Sequence, residues 1–276
     1  MLEDYGVTIV DFNEGSTVSY PQGHTAKEFF LAKPVQETDA LINLCKMKTH
    51  ALERVTGGVK NLYGCISGLH KAKGHTKYTN ADIFARQLID LNQLIKPRFC
   101  VMDGIVAMDG NGPTSGDPVK MKVLLLGNDP VAIDSVYCHL VHLDPQMVPT
   151  NVHGETMGLG TWREENIRLL TDGGEITMQE AVERFGNPDF NVDRKKQRGN
   201  LWNRFNNGFL RYFQKKPYIE EDKCKKCGIC VEACPVEGKA LQFKNGRRKP
   251  PVYNYHKCIR CFCCQEMCPH KAIQVK

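Results

Sequence analysis

Eight cysteines near the end of the chain have the type and spacing for metal chemistry. They form two runs, Cys224-x-x-Cys227-x-x-Cys230-x-x-x-Cys234-Pro235 and Cys258-x-x-Cys261-x-x-Cys264-x-x-x-Cys268-Pro269. Three thiolates spaced three residues apart wrap one face of an iron-sulfur cubane, and a fourth, held ahead of a proline that turns the chain away, reaches the other cluster. Ligation is therefore expected to cross between the runs. Cluster I, a [4Fe-4S] centre, takes Cys224, Cys227, Cys230 and Cys268, and cluster II, a second one, takes Cys258, Cys261, Cys264 and Cys234. Zinc would leave the third and fourth cysteines of each run unexplained, and a disulfide framework goes with a secretory signal, where the first residues here carry the acidic pair Glu3-Asp4. A ninth clustered cysteine, Cys263, stands where the first run has Ile229. It reads as a packing residue, with a spare ligand or a redox-sensitive thiol as alternatives. Cys45, Cys65, Cys100 and Cys138 are scattered singly, as buried core thiols are.

The elements that must position these ligands show in the flanks. Tyr218-Ile219 and Val252-Tyr253 precede the cysteines, Ala240-Leu241-Gln242-Phe243 and Ala272-Ile273-Gln274-Val275 follow them, and their apolar alternation predicts short strands. Two strand-helix-strand units related by a pseudo-twofold result, and residues 217–276 resemble bacterial-type two-cluster ferredoxins, a small α+β domain. The resemblance implies electron transfer with a redox partner protein or a low-potential donor. Phe262 replaces the Gly228 of the first run and is expected to shield cluster II from water.

The 276 residues carry a net charge of +6, and residues 217–276 hold all of that excess. Each oxidised cluster with its thiolates contributes a charge of about −2, which offsets most of it, so nucleic acid is not expected as a partner. Residues 194–216 hold eight Lys or Arg and no acid, with Leu201, Trp202, Phe205, Phe209, Tyr212 and Phe213 spaced as a helical stripe. This basic amphipathic linker, 191–216, is expected to pack between an α/β domain of residues 1–190 and the ferredoxin-like domain of 217–276. Contact with a membrane surface is the less favoured alternative. No apolar run is long enough to span a bilayer, and the expected location is cytoplasmic.

In residues 1–190 short apolar runs alternate with helical patterns. Strands are expected over residues 7–10, 40–44, 99–102 and 123–126, with helices over 82–95 and 130–143. This rhythm predicts an α/β domain with a mixed or parallel sheet. Asn128-Asp129-Pro130 supplies a capping carboxylate and a proline at the first helical position. Chemistry in open α/β sheets sits beyond the carboxyl ends of strands, which points to two segments. The first, Cys45-Lys46-Met47-Lys48-Thr49-His50, continues through Gly57-Gly58-Val59-Lys60-Asn61 and has the charges and amides to hold an anion. The second, Met108-Asp109-Gly110-Asn111-Gly112-Pro113-Thr114-Ser115-Gly116, lacks the spacing of a dinucleotide fingerprint, though its glycines would let a ligand approach the backbone. Gly57, Gly58, Gly110, Gly112 and Gly116 are accordingly the candidate cofactor-binding residues for an organic cofactor or anionic small molecule. A weaker patch is Gly158-Leu159-Gly160 with His153 nearby.

Residues 38–170 resemble the family called domain of unknown function 362. The motifs are Lys46-Met47-Lys48-Thr49-His50, Gly58-Val59-Lys60-Asn61-Leu62-Tyr63-Gly64, Met108-Asp109-Gly110-Asn111-Gly112-Pro113, Asp129-Pro130-Val131-Ala132-Ile133-Asp134 and Gly158-Leu159-Gly160. The resemblance implies an iron-sulfur protein with Lys48, His50, Lys60, Asn61 and Asp134 lining a site, and supplies no reaction. Members usually begin with a further stretch that includes a strand ending in Lys-Pro-Asn, so this chain is expected to be an N-terminally shortened member. Three functions fit: an oxidoreductase whose clusters feed electrons to a ligand in the α/β domain, an electron-carrier or relay subunit without a catalytic site, and a ligand-binding protein with structural or sensory clusters.

Overall fold

The computed structural model describes residues 3–67, 70–78, 80–195, 215–244 and 246–276. The expected amphipathic stripe at 201–213 lies outside them. In chain order the α/β portion contains β1 (Gly15–Ser19), β2 (Glu28–Ala32), α1 (Lys33–Glu37), β3 (Ile42–His50), β4 (Arg54–Thr56), α2 (Gly58–Asn61), α3 (His70–Lys77) and α4 (Ala81–Ile95), followed by β5 (Phe99–Asp109), β6 (Asp117–Val119), β7 (Val123–Gly127), α5 (Pro130–Leu140), α6 (Pro149–Thr156), β8 (Leu169–Thr171), β9 (Gly174–Ile176) and α7 (Met178–Phe185).

The main sheet is built on β5. Its first edge pairs with β3 in parallel, and β3 carries β4 on its far side. The other edge of β5 is shared by β7, opposite residues 100–104, and β6, opposite residues 107–109, both antiparallel. The sheet is therefore mixed. A register shift between Lys46 and Lys48 interrupts the β3–β5 ladder.

β3 shows how sequence becomes architecture. Asn43, Cys45, Met47 and Thr49 alternate inward, while Ile42, Leu44, Lys46 and Lys48 face out. Cys45 and Met47 join Cys100, Met102 and the α5 residues Ile133, Val136 and Tyr137 in one core, where Cys45 and Cys100 bring their sulfurs to 3.8 Å. A second core gathers Phe29, Leu31, Val59, Tyr63, Phe84 and Leu88 between β2, α2 and α4. The outward face of the sheet leaves Ile42, Leu44, Leu124 and Leu126 exposed.

Helix starts follow local chemistry. Asn80 caps α4 by accepting from the Ile83 amide, and Asp129 caps α5 by accepting from Val131 and Ala132 ahead of Pro130. Two expectations are corrected. Residues 7–10 form no strand; they lie exposed without a pairing partner, and β-propensity alone does not make a strand without a ladder. Residues 45–50 do not follow the strand but belong to it, because β3 runs on through His50.

The cysteine-rich portion contains β10 (Pro217–Ile219), α8 (Ile229–Glu232), β11 (Leu241–Gln242), β12 (Val252–Tyr253), α9 (Cys263–Glu266) and β13 (Ile273–Val275). The outer strands of the two units pair with each other, β10 with β13, and so do the inner ones, β11 with β12. The two halves are thus interleaved. Gly228 and Phe262 precede α8 and α9 with φ of 91° and 60°, so the position that wants glycine in both repeats holds a buried aromatic in the second.

Glu53, in the turn between β3 and β4, is fully buried, and neither carboxylate oxygen has a hydrogen-bond partner. Burial pushes its pKa from 4.5 up to about 8. A folded-state pKa above the unfolded value means that this group's contribution is fully present below about 4.5 and is lost as pH rises through about 8. Glu53→Gln is therefore expected to raise the denaturation midpoint at pH 8 relative to wild type, by free energy on the order of a few kcal/mol, with a smaller difference at pH 5. Urea unfolding at the two pH values reads this, and an equal effect at both would contradict it.

Candidate functional site

The four cysteines expected for cluster I, Cys224, Cys227, Cys230 and Cys268, line one hollow, walled by Ile219, Pro251, Ala272 and Ile273. The four expected for cluster II, Cys234, Cys258, Cys261 and Cys264, line another, walled by Pro217, Val236, Leu241, Tyr253 and Phe262. Each hollow draws three thiols from one run and one from the other. Burial pushes the Cys230 thiol up to about 12, with Cys268, Cys227 and Cys224 adding to it. Crowded thiols resist ionisation unless a cation takes up their charge, so this donor set fits an iron-sulfur cluster. Tyr253 Oη lies 3.2 Å from Cys264 Sγ, and the Ala240 amide donates to Cys234 Sγ at 3.3 Å. Cys263 is buried at the start of α9, beside the second set.

The ferredoxin-like portion docks through α9 and β13. Gln265 is fully buried, and its Nε2 donates to the carbonyls of Asn111 at 2.9 Å and Gly112 at 3.0 Å. Asn111 Nδ2 donates to the Ile273 carbonyl, Thr114 Oγ1 to the Glu266 carbonyl, and Lys271 Nζ to the Gly116 carbonyl. Thr49 fixes the loop from the other side, donating to the Gly110 carbonyl and accepting from the Gly112 amide. A Cβ on Gly112 would stand 2.3 Å from the Thr49 carbonyl oxygen, and one on Gly116 would stand 2.0 Å from that of Asp109. Gly110 holds φ 67°. The close approach that Gly112 and Gly116 permit is to the protein's own backbone, while Gly110 supplies the left-handed turn, with α9 seated against the loop.

His50 supplies the other clasp. Its Nδ1 accepts from the Leu52 and Glu53 amides, which leaves the proton on Nε2 to be donated to Glu266 Oε1 at 2.8 Å. Burial, seconded by the Lys60 charge, pushes the imidazole down to about 4 against the pull of Glu266. At neutral pH a neutral imidazole therefore binds a carboxylate. His50 thus lies under the site, as the clasp on α9.

Between the two portions opens a cleft of about 740 Å³. Lys46, Lys48, Lys60, Asn61, Tyr63 and Lys71 line it from the α/β side, and Pro113, Thr114 and Glu266 close it toward α9. Strand alternation aims Lys46 and Lys48 outward, and Lys60 and Asn61 come from the short α2. Asp134 sets that helix in place from below, accepting from the Gly58 and Val59 amides. It is buried outside the cleft, and burial pushes it up to about 7. Gly57 and Gly58 serve the same packing, since a Cβ on Gly57 would meet Asp134 Oδ1 at 2.1 Å and one on Gly58 would meet Cys100 Sγ at 3.1 Å. Asn61 Nδ2 donates to Asn43 Oδ1 and the Leu44 carbonyl, tying α2 to β3. Lys46 is paired with Asp103.

Of the residues expected at a site, the structure brings Lys48, Lys60 and Asn61 into one cleft and leaves His50, Asp134 and the glycines as its supports. Sequence reasoning missed Lys71 and the docking roles of Asn111, Gln265 and Glu266. The basic run His70-Lys71-Ala72-Lys73 beyond Gly64 was the available signal for Lys71. Gly158 and Gly160 stand apart from the cleft, the latter packed on Asp129, and His153 pairs with Asp82.

This architecture defines an iron-sulfur protein: an α/β unit carrying a ferredoxin-type 4Fe-4S domain. Residues 216–269 match the family described as 4Fe-4S dicluster domain. Residues 1–139 match Domain of unknown function (DUF362), and the chain belongs to that family. It is 35% identical over 179 residues to the thylakoid-associated protein sll1697 of Synechocystis sp., an alignment covering 64% of this chain and 55% of that protein. The chain thus matches about half the length of this curated relative. No solved structure matches it. Among the described residues no helix is long and apolar enough to cross a membrane.

The docking hydrogen bonds of Gln265 are buried, so Gln265→Ala is expected to cost about 2 kcal/mol in local stability and to speed amide exchange over residues 109–116. Hydrogen-exchange mass spectrometry checks this, and unchanged protection there would show that the clasp lies elsewhere.

Proposed function

We propose that the protein is an oxidoreductase with two [4Fe-4S] clusters, which takes electrons from a redox partner or low-potential donor and delivers them to an anionic ligand held in the cleft. The observation that carries this reading is the shared wall. α9 contributes Glu266 to the cleft, and the same helix contains Cys264, a ligand assigned to cluster II. Crosswise ligation by Cys224, Cys227, Cys230 and Cys268 and by Cys258, Cys261, Cys264 and Cys234 is part of the proposal, as is the division into domains at 1–190 and 217–276 joined by 191–216. A cytoplasmic location also belongs to this reading, although the thylakoid association in the relative's name makes cell fractionation worthwhile.

Bound clusters supply one-electron storage and transfer. The chain's own residues do the rest. Tyr253 offers its hydroxyl to Cys264 Sγ, a contact of the kind that tunes a cluster's potential, and Phe262 covers the second hollow against water. His50 and Gln265 hold α9 in fixed register with the lysine-bearing strand. Lys48 and Lys60 attract and orient the anion.

Anaerobically reconstituted protein should contain about eight irons and about eight acid-labile sulfides per chain. Once reduced, it should be reoxidised by the small-molecule fraction of a cell extract, and Lys48→Ala combined with Lys60→Ala should slow that reoxidation by about tenfold or more while leaving cluster absorbance intact. Equal rates for variant and wild type would reject the cleft as the electron-accepting site and leave a relay subunit.

A further inference from the structure

We propose that the cleft binds phosphate-bearing organic anions, with a phosphate or pyrophosphate group seated among Lys48, Lys60 and Lys71 and the organic part lying along Leu44 and Val101. This names the ligand class of the site proposed above and rests on that reading for the ligand's redox role, but not for its binding.

Charge points to this class. Four lysines enter one concavity, and among the described residues only Lys46 is ion-paired, with Asp103. Glu266, the acid on the opposite wall, is hydrogen-bonded to a neutral His50 and so keeps its charge, which acts on Lys71 and offsets the remaining lysines only in part. Among the described residues Lys48, Lys60 and Lys71 are in no ion pair. Lys48 is held below its ordinary pKa by burial and then by Lys46 and Lys60, and burial does the same for Lys71. Ammonium groups set facing one another and half out of water repel unless an anion of matching valence arrives. A single carboxylate balances one of them, whereas a phosphate ester or diphosphate balances two or three.

The kind of cation is compatible with this class. The cleft is lined by lysines. An ammonium acts as a point charge with three rotatable donors, so several lysines can converge on the oxygens of one tetrahedral phosphate.

Shape agrees. About 740 Å³ is in the range that takes a small organic ligand rather than a free inorganic ion. Leu44 and its ladder partner Val101 give the lining an apolar pair, and Leu44 is 71% exposed.

The test uses the full chain with its clusters, kept anaerobic, and titrates it with inorganic pyrophosphate in a calorimeter at low ionic strength. Saturable binding is expected, weakened about tenfold or more by the Lys48→Ala and Lys60→Ala double substitution and largely restored with arginine at both positions. Citrate, the polycarboxylate arm, is expected to bind about tenfold more weakly than pyrophosphate. A second measurement needs no variant: pyrophosphate should protect Lys48 and Lys60 from acetylation while exposed Lys120 labels at an unchanged rate. Absence of saturable binding, equal labelling with and without pyrophosphate, or citrate binding as tightly as pyrophosphate would each overturn the assignment. Saturable pyrophosphate binding that leaves reoxidation untouched would uphold the ligand class and remove the electron-transfer reading instead.

Discussion

Everything in this molecule turns on how α9 is seated. Gln265 enters the loop at residues 110–116 with its Nε2 spent on two carbonyls, and Glu266 accepts a hydrogen bond from Nε2 of a buried, neutral His50. Gln265 and the His50 ring are shielded from water, where a hydrogen bond lost is not replaced. Because the seat is built at the end of β3 and on the loop that follows β5, the same two strands that form the core decide where the cysteine-rich portion sits. The lysines of β3 then face a wall that the ferredoxin-like portion provides.

Two crowded sites stand on either side of that wall. One holds the cysteine quartets, whose thiols resist ionisation unless a cation takes up their charge. The other gathers Lys48, Lys60 and Lys71, whose charge Glu266 offsets only in part. The helix that separates them offers a carboxylate on one side and a cysteine sulfur on the other. In the proposed function this helix is the shared wall between a cluster and the bound anion.

Some of this was legible in the residues and some was not. The two cysteine sets were legible as groups because a spacing of three keeps three thiols of each run together, and the structure gathers each expected four around one hollow. The cap at Asp129 was equally local. The extent of β3 was not, since Lys46, Lys48 and His50 look like loop chemistry until the alternation with Met47 and Thr49 is set against a neighbouring strand. Residues 7–10 show the converse, with strand-forming residues that meet no ladder. In the loop at 110–116 the glycines advertise that something comes close to the backbone, but sequence does not say what. The answer lies more than 150 residues away in Gln265 and Lys271, a long-range contact that periodicity does not carry.

The double-sided use of β3 constrains how the gene can change. One face of the strand fills the core, the other arms the cleft, and its last residue grips α9. Replacing any single member alters one of these duties. A one-codon insertion or deletion within 42–50 would exchange the two faces, turning ammonium groups into the core and sulfurs toward solvent, and would pull His50 out of reach. The length of this stretch is therefore held more tightly than any one of its residues, whereas turns such as the one at residues 172–173 between β8 and β9 carry no such obligation.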